Sequence, residues 1–343
     1  MRVARVALLR PNTIVLPTHE RWFVESQQAG DWSFFFSPLP LALTAAVVAV
    51  TLLWRAAAMR FDGPELPFLE PLGRLVPWIP RLLGIHLGVA LLALAATGAF
   101  MTPANDHLDG AGGNALLLVE AALGIWLVTG FNLRPAAVLV LGLGPALALV
   151  AGPTALGECA NLAAVAAFLV VVPPGPDAHG AAHPTRAQLR LALLLLRLGV
   201  GTALVVLAFS EKLTNPGMAI DTLVHYPALD VFSLVGIHVS PETFVAIAGA
   251  TELLFGLLVI SGAFPQVAVL VAMVPFNATL LLFGQTEMVG HLPVYGVFLA
   301  LLVYGSSVDT AREVRWLPAI GTRVSRPAAG SIRAAASRTP QPR

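Results

Sequence analysis

Long apolar runs separated by short polar connections dominate the hydrophobic pattern of this 343-residue chain. A bilayer core about 30 Å thick needs about 20 residues of helix to cross it. On that length the pattern predicts nine spans: 41–58, 82–101, 114–130, 135–151, 156–173, 190–210, 243–263, 265–284 and 291–306. Because lipid offers no hydrogen-bond partners to the backbone, the predicted fold is an all-α integral membrane bundle.

Composition supports this fold class and narrows the chemistry. The chain is 57% hydrophobic and only 11% charged, whereas soluble domains are roughly 25% charged. Its single cysteine, Cys159, excludes an intrachain disulfide. The residue patterns predict no catalytic group, no metal site and no nucleic-acid interface. They therefore leave open whether the protein is an enzyme.

The distribution of basic residues predicts the orientation, because cytoplasmic connections are enriched in Arg and Lys. The tail 307–343 contains seven arginines and 55–81 contains four, whereas 102–113 and 152–158 contain no basic residue. We therefore expect a cytoplasmic Arg-rich tail and an extracytoplasmic N-terminal segment, 1–40, although that segment also carries four arginines. All basic residues but one are arginine, which is typical of GC-rich bacterial genes. The predicted location is the bacterial plasma membrane.

Two stretches share one layout and predict an internal duplication. "VEAALGIWLVTG" (119–130) and "TELLFGLLVISG" (251–262) both place a Glu four residues before one Gly and ten before another. Three more matches follow in order, at "AVLV", at Pro145 with Pro275, and at "NLAAVAAFL" with "HLPVYGVFL". Ordered matches at a nearly constant offset indicate repeated units.

The predicted units are 81–173 and 190–306, preceded by an extra helix at 41–58. Each unit has four spans, so the two copies are expected to run in the same direction, related by an axis along the membrane normal. Gly124 and Gly130 in the first unit match Gly256 and Gly262 in the second. Small residues allow close helix approach, so we interpret these four as packing residues.

The second unit resembles the DoxX family of four-helix bacterial membrane proteins. The motifs are "LRLGVGTALVVLAFSEKL" (196–213), "TELLFGLLVISG" and a last helix closing at "LLVYG". The first unit is a degenerate copy, with "GAF" where the second has "SEKL". Members of this family include a subunit of thiosulfate:quinone oxidoreductase, and others are linked to redox and thiol-stress complexes. The resemblance implies a redox setting, in which quinone is the candidate ligand and a soluble or membrane oxidoreductase the candidate partner, without assigning catalysis to this chain.

Polar side chains inside the spans need an explanation, because a charge at bilayer depth costs at least about 2.5 kcal/mol. Glu120 and Glu252 are expected to share one level near the outer leaflet with Asn161 and His291. One hypothesis makes this layer a quinone headgroup site whose Glu and His pass protons to the outer phase. The alternative is structural: each Glu fastens its helix to a neighbour or to Arg197.

Two further candidates, Glu211 and Lys212, lie at the outer end of their predicted helix. Lys212 either binds an anionic oxygen or extends to the interface without a ligand. The predicted function is a membrane subunit or partner of a quinone-linked redox complex. A transporter of a small solute or protons and a non-catalytic scaffold remain as alternatives.

Overall fold

The computed structural model describes residues 30–61, 63–103, 108, 110–152, 155–172 and 181–318, and over these residues the protein is an all-α bundle. Most of the predicted N-terminal segment and of the Arg-rich tail lies outside the described residues. The main helices are α1 Pro38–Ala58, α2 Ile79–Thr97, α3 Gly110–Thr129, α4 Leu133–Ala151, α5 Ala160–Val171, α6 Arg186–Leu207, α7 Pro241–Ser261, α8 Pro265–Phe283 and α9 Gln285–Ser306. A 3-10 segment, Pro67–Trp78, leads into α2. Eight of these helices are long and apolar enough to cross a membrane, which makes this a multi-span membrane protein.

The exact count of nine spans is not confirmed, because the helix predicted at 156–173 is interrupted at Cys159. A short helix, Ala155–Glu158, is followed by the 12-residue α5. At 1.5 Å per residue α5 is about 18 Å long, too short to cross the bilayer alone. At the break Glu158 accepts a hydrogen bond from Thr102 Oγ1 (2.7 Å), and Cys159 Sγ lies 3.3 Å from the Met101 carbonyl. The break lets both side chains contact the connection after α2.

The pairing of helices in one half of the bundle is repeated in the other half. In α2–α5, α2 packs on α3 and α4 packs on α5; in α6–α9, α6 packs on α7 and α8 packs on α9. Between the halves, α5 packs on α6 and α9 packs on α2, while α1 lies against α7. The last helix of each half therefore packs against the first helix of the other half.

The turn that joins the second and third helix of each half has the same backbone conformation. Gly130 and Asn132 have φ angles of 82° and 47°, and Gly262 and Phe264 have φ angles of 64° and 45°. Glycine accepts a left-handed conformation without strain, whereas a residue such as Phe264 rarely adopts it. Each turn glycine also lies against an arginine, Gly130 against Arg81 and Gly262 against Arg197.

Glycines also set the closest approach of the helices in both halves. A Cβ on Gly124 of α3 would lie 2.9 Å from the carbonyl oxygen of Gly88 on α2. A Cβ on Gly256 of α7 would likewise lie 2.9 Å from the carbonyl oxygen of Gly201 on α6. Backbones this close leave no room for a side chain, which is the arrangement that small residues permit between membrane helices.

Arginines fasten the segment after α9 to one end of the bundle, which we call the Arg315 end. Arg55 donates to the Arg315 carbonyl (2.7 Å), and Arg315 donates to the Gly63 carbonyl (2.8 Å). Arg197 donates to the Trp316 carbonyl, and Arg190 pairs with Glu313. The opposite end of the bundle, called the Lys212 end, contains residues 208–240.

A reciprocal contact joins the connection 61–66 to the start of α8. Glu65 accepts from the backbone N–H of Gln266 (3.0 Å), and the Gln266 amide oxygen accepts from the backbone N–H of Glu65 and Leu66, each at 3.0 Å. Gln266 Nε2 also donates to Ser306 Oγ (2.8 Å). Burial raises the pKa of Glu65 to about 7, although these backbone bonds and Arg315 oppose the shift.

We expect Gly124→Ala and Gly256→Ala each to destabilise the fold by about 1–3 kcal/mol, because the new methyl group meets a backbone carbonyl. Gly142 of α4 is the matched control, since a Cβ there has nothing within 4 Å. Gly142→Ala should be neutral or stabilising by up to about 1 kcal/mol. Thermal unfolding in detergent measures all three, and equal effects would contradict the close approach.

We expect Glu65→Gln to stabilise the protein more at pH 8 than at pH 5. The pKa of Glu65 is higher in the folded state, so folding favours its protonated form and stability falls as pH rises from 4.5 towards 7. Glutamine keeps an acceptor oxygen for the backbone N–H groups of α8 and does not ionise. The check is the pH dependence of the difference in melting temperature between variant and wild type. A difference independent of pH would show that Glu65 is not responsible for the pH dependence of stability.

Candidate functional site

A π-helix at the Lys212 end brings three charged groups together. Ala208–Leu213 continues α6 as π-helix and carries Glu211 and Lys212. Lys212 Nζ lies 3.2 Å from Glu211 Oε2 and 3.1 Å from Glu252 Oε2 on α7. The Glu211 side chain is fully buried, while Lys212 and Glu252 are 19% and 21% exposed. Single π turns are frequent at functional sites, because they redirect side chains that a regular helix would aim elsewhere.

A second polar pair lies on α9, next to this cluster. His291 Nδ1 is 3.3 Å from Glu287 Oε1, with Glu287 almost fully buried. The His291 ring also lies against Phe276 of α8, with ring centroids 4.7 Å apart. Glu287 was not among the predicted site residues. Its i, i+4 spacing from His291 was the available signal, because such residues share a helix face.

A cavity of about 430 Å³ lies beside these groups. Its ionisable lining residues are Lys212, Glu252 and His291. The rest of the wall is mainly apolar and comes from α6, α7, α8 and residues 219–232; it includes Leu204, Leu207, Val245, Phe255, Phe276 and Leu282. Small-molecule sites usually occupy about 300–1,000 Å³, with mostly apolar walls and a few placed polar groups. Both the size and the lining fit such a site.

A smaller pocket of about 40 Å³ adjoins the cavity. The two spaces share Leu204, Leu207, Phe276 and His291, and the smaller one is also lined by Thr102, Glu158 and Asn161. A space of this size holds one or a few waters when polar groups line it. His291 therefore lines both the cavity and the smaller pocket, whereas Asn161 lines only the smaller pocket.

Residues 216–234 form a roof over the cavity at the Lys212 end. The helix Pro216–His225 is followed by the short helix Val231–Leu234, which Asp230 caps by accepting from the backbone N–H of Phe232 and Ser233. Hydrogen bonds from Ser233 hold the pKa of Asp230 below its usual range. Asp230 therefore stays charged at neutral pH and keeps the cap in place.

Glu120 lies at the level of Glu252 but outside the cavity. Glu120 precedes Gly130 by 130 − 120 = 10 residues, and Glu252 precedes Gly262 by 262 − 252 = 10, or about 15 Å of helix. Glu120 is fully buried, and its Oε1 accepts from the backbone N–H of Met101 (3.0 Å). The backbone N–H of Met101 thus pairs with Glu120, as the Lys212 ammonium pairs with Glu252. The two equivalent acids have different partners.

Arg197 does not join the cluster. It precedes Lys212 by 212 − 197 = 15 residues, about 22 Å along the helix, and is fully buried at the Arg315 end. There it donates to the Trp316 carbonyl. Neither carboxylate is fastened to Arg197: Glu252 pairs with Lys212, and Glu120 binds the backbone. Of the predicted site residues, the structure brings Glu211, Lys212, Glu252 and His291 together.

Comparisons with family models, curated proteins and solved structures found no match to this chain.

We expect Lys212→Met and Glu252→Gln to be energetically coupled. Residues of one ion pair show interaction energies of about 0.5–3 kcal/mol in a double-mutant cycle, whereas separated sites add within about 0.5 kcal/mol. Lys212→Met combined with Glu120→Gln is the matched cycle, because Glu120 contacts Met101 instead. Chemical unfolding in detergent measures both cycles. Equal coupling in the two would show that the Lys212–Glu252 contact does not persist in solution.

Proposed function

We propose that this protein is a membrane subunit or partner of a quinone-linked redox complex and binds a quinone headgroup in the 430 Å³ cavity. The observation that carries this proposal is a mainly apolar cavity whose lining includes three ionisable side chains, Lys212, Glu252 and His291. A quinone headgroup has the matching character, a flat apolar ring with polar oxygen atoms at its edge. We extend the proposal to kinship with the DoxX family and to residence in the bacterial plasma membrane.

The polar side chains would act on the ligand in separate ways. Lys212 donates a hydrogen bond to a carbonyl oxygen, and the aromatic rings of Phe255 and Phe276 pack against the ligand ring. Charge-assisted hydrogen bonds contribute about 1.5–3 kcal/mol, so this contact would supply much of the headgroup selectivity.

Reduction of a quinone consumes electrons and protons in equal number. A partner oxidoreductase, soluble or membrane-bound, would supply the electrons. Glu252 and His291 are placed to exchange the protons, since both line the cavity and His291 also borders the smaller pocket that contains Glu158. With the predicted orientation, this route leads to the outer face.

The alternative of transport finds less support. The cavity and the buried Arg197 lie at opposite ends of the bundle, and the core described between them is apolar, with Val200, Val297 and Phe298 fully buried. A transported solute would need a polar path through this layer. The scaffold alternative predicts a bound enzyme and no bound quinone.

We expect Lys212→Met and Glu252→Gln each to weaken binding of a short-tailed quinone, such as decylubiquinone, by about tenfold or more in lipid nanodiscs. A tenfold change corresponds to about 1.4 kcal/mol, the lower end of a charge-assisted hydrogen bond. Equilibrium titration followed by quenching of Trp fluorescence gives the affinities.

Glu120→Gln is the matched control, because Glu120 occupies the equivalent level outside the cavity and should leave the affinity unchanged. Equal weakening by all three variants would contradict a site at Lys212 and Glu252. Absence of binding to the wild type, with an oxidoreductase still co-purifying, would favour the scaffold.

A further inference from the structure

The helices α7 and α8 diverge from the tight turn at Gly262, and the cavity fills the space between them. Residues at equal distances on either side of Ala263 face each other at equal depth. Three such matched pairs line the cavity: Thr251 with Pro275, Ala248 with Ala278, and Phe244 with Leu282. Along α7 the first and last of these pairs are 251 − 244 = 7 residues apart, so the space between the two helices extends for about 10 Å along the helix.

Several of these lining residues are also exposed. Thr251, Pro275 and Ala278 are exposed, and Leu282 is 39% exposed. Their exposure, together with their place in the cavity wall, indicates an opening between α7 and α8. Both helices are apolar enough to span the membrane, so the medium outside this opening is lipid.

The chemistry of the opening suits an apolar group. From Pro265 to Phe283, α8 contains no Asp, Glu, Lys, Arg or His. The ionisable groups lie on other helices, Lys212 at the end of α6, Glu252 on α7 and His291 on α9. A molecule passing between α7 and α8 would meet alanine, proline, threonine and leucine first and charge afterwards.

Pro275 lines the opening, and Asn277 joins α8 to α9. Proline has no N–H to complete the hydrogen bond to the preceding turn and locally weakens α8. Asn277 Nδ2 donates to the Met273 carbonyl within α8 (2.7 Å), and Tyr295 of α9 donates to Asn277 Oδ1 (3.2 Å). The second bond holds α8 against α9.

Aromatic contacts join the roof to α7 and α8 at the Lys212 end. Tyr226 of the roof packs edge-on against Phe283 at the end of α8, with ring centroids 4.8 Å apart. Phe232 packs edge-on against Phe244 at the start of α7, at 6.0 Å. The roof is thereby joined to both helices that border the opening.

We infer that the cavity is loaded sideways from the bilayer through the opening between α7 and α8, and that its ligand is a lipid-borne amphiphile whose apolar tail remains in that opening. The inference deepens the proposed function and rests on it for the polar headgroup. It adds the entry route from the bilayer and the place where the apolar tail binds. A water-soluble headgroup analogue would lack the contacts with Ala248, Ala278 and Leu282.

The test uses a bulky residue at the opening and its counterpart in the other half. Ala278→Trp narrows the opening, whereas Ala148→Trp places the same side chain at the equivalent position of α4, three residues after Pro145 as Ala278 is after Pro275. In nanodiscs we expect Ala278→Trp to slow association of decylubiquinone at least tenfold and Ala148→Trp to change it less than twofold. Equal association rates in the two variants would overturn the lateral route.

A second measurement does not depend on any ligand. Ala278→Cys is labelled with a small fluorophore, and Leu234→Cys on the roof is the control, since Leu234 is 71% exposed and does not line the cavity; the native Cys159 is buried. Quenching of the 278 label by lipids with a nitroxide on the acyl chain, and of the 234 label by aqueous iodide, supports the inference. Quenching of the 278 label by iodide alone overturns it.

The two measurements separate the two proposals. If quinone binds and responds to Lys212→Met while the 278 label is not reached by lipid, the lateral route fails and the proposed function stands. If lipid reaches the 278 label but quinone does not bind the wild type, the quinone function fails and the opening to lipid stands.

Discussion

Charge inside an apolar bundle needs a partner within the protein, and the contact of Lys212 with Glu211 and Glu252 meets that need at the Lys212 end of the second half. Removing one member would leave another charge in a medium that solvates it poorly, so the three are held together. The π-helix Ala208–Leu213 places the ammonium towards α7. This contact joins the end of α6 to α7 and places Lys212 and Glu252 together in the lining of the cavity.

The two halves show how equivalent acidic side chains can have different partners. Glu120 and Glu252 lie at one level, and close glycine contacts set the neighbouring helices in both halves. In the first half α2 ends at Thr97, and a backbone N–H from Met101 satisfies Glu120. In the second half the helix continues, and the Lys212 ammonium pairs with Glu252. One acid is thereby locked into the core, while the other is left accessible to a cavity.

The two ends of the bundle are organised by different interactions. At the Arg315 end, arginines donate to backbone carbonyls and hold the segment after α9 against the helices. At the Lys212 end, aromatic pairs join the roof to α7 and α8. The first arrangement closes the bundle with directional bonds. The second closes it with packing contacts that leave a space beneath, which is why the cavity lies there.

The sequence by itself determined the membrane fold and the approximate spans, because apolar length and helical rise are local properties. It also indicated Gly124 and Gly256, since small residues recur where helices meet. It did not reveal the break at Cys159, the π-helix, the Glu287–His291 pair or the distance of Arg197 from the cluster. Those depend on which neighbour each side chain meets. The cavity belongs to the tertiary structure alone, because it is the space left where α7 and α8 diverge beneath a roof contributed by a distant connection.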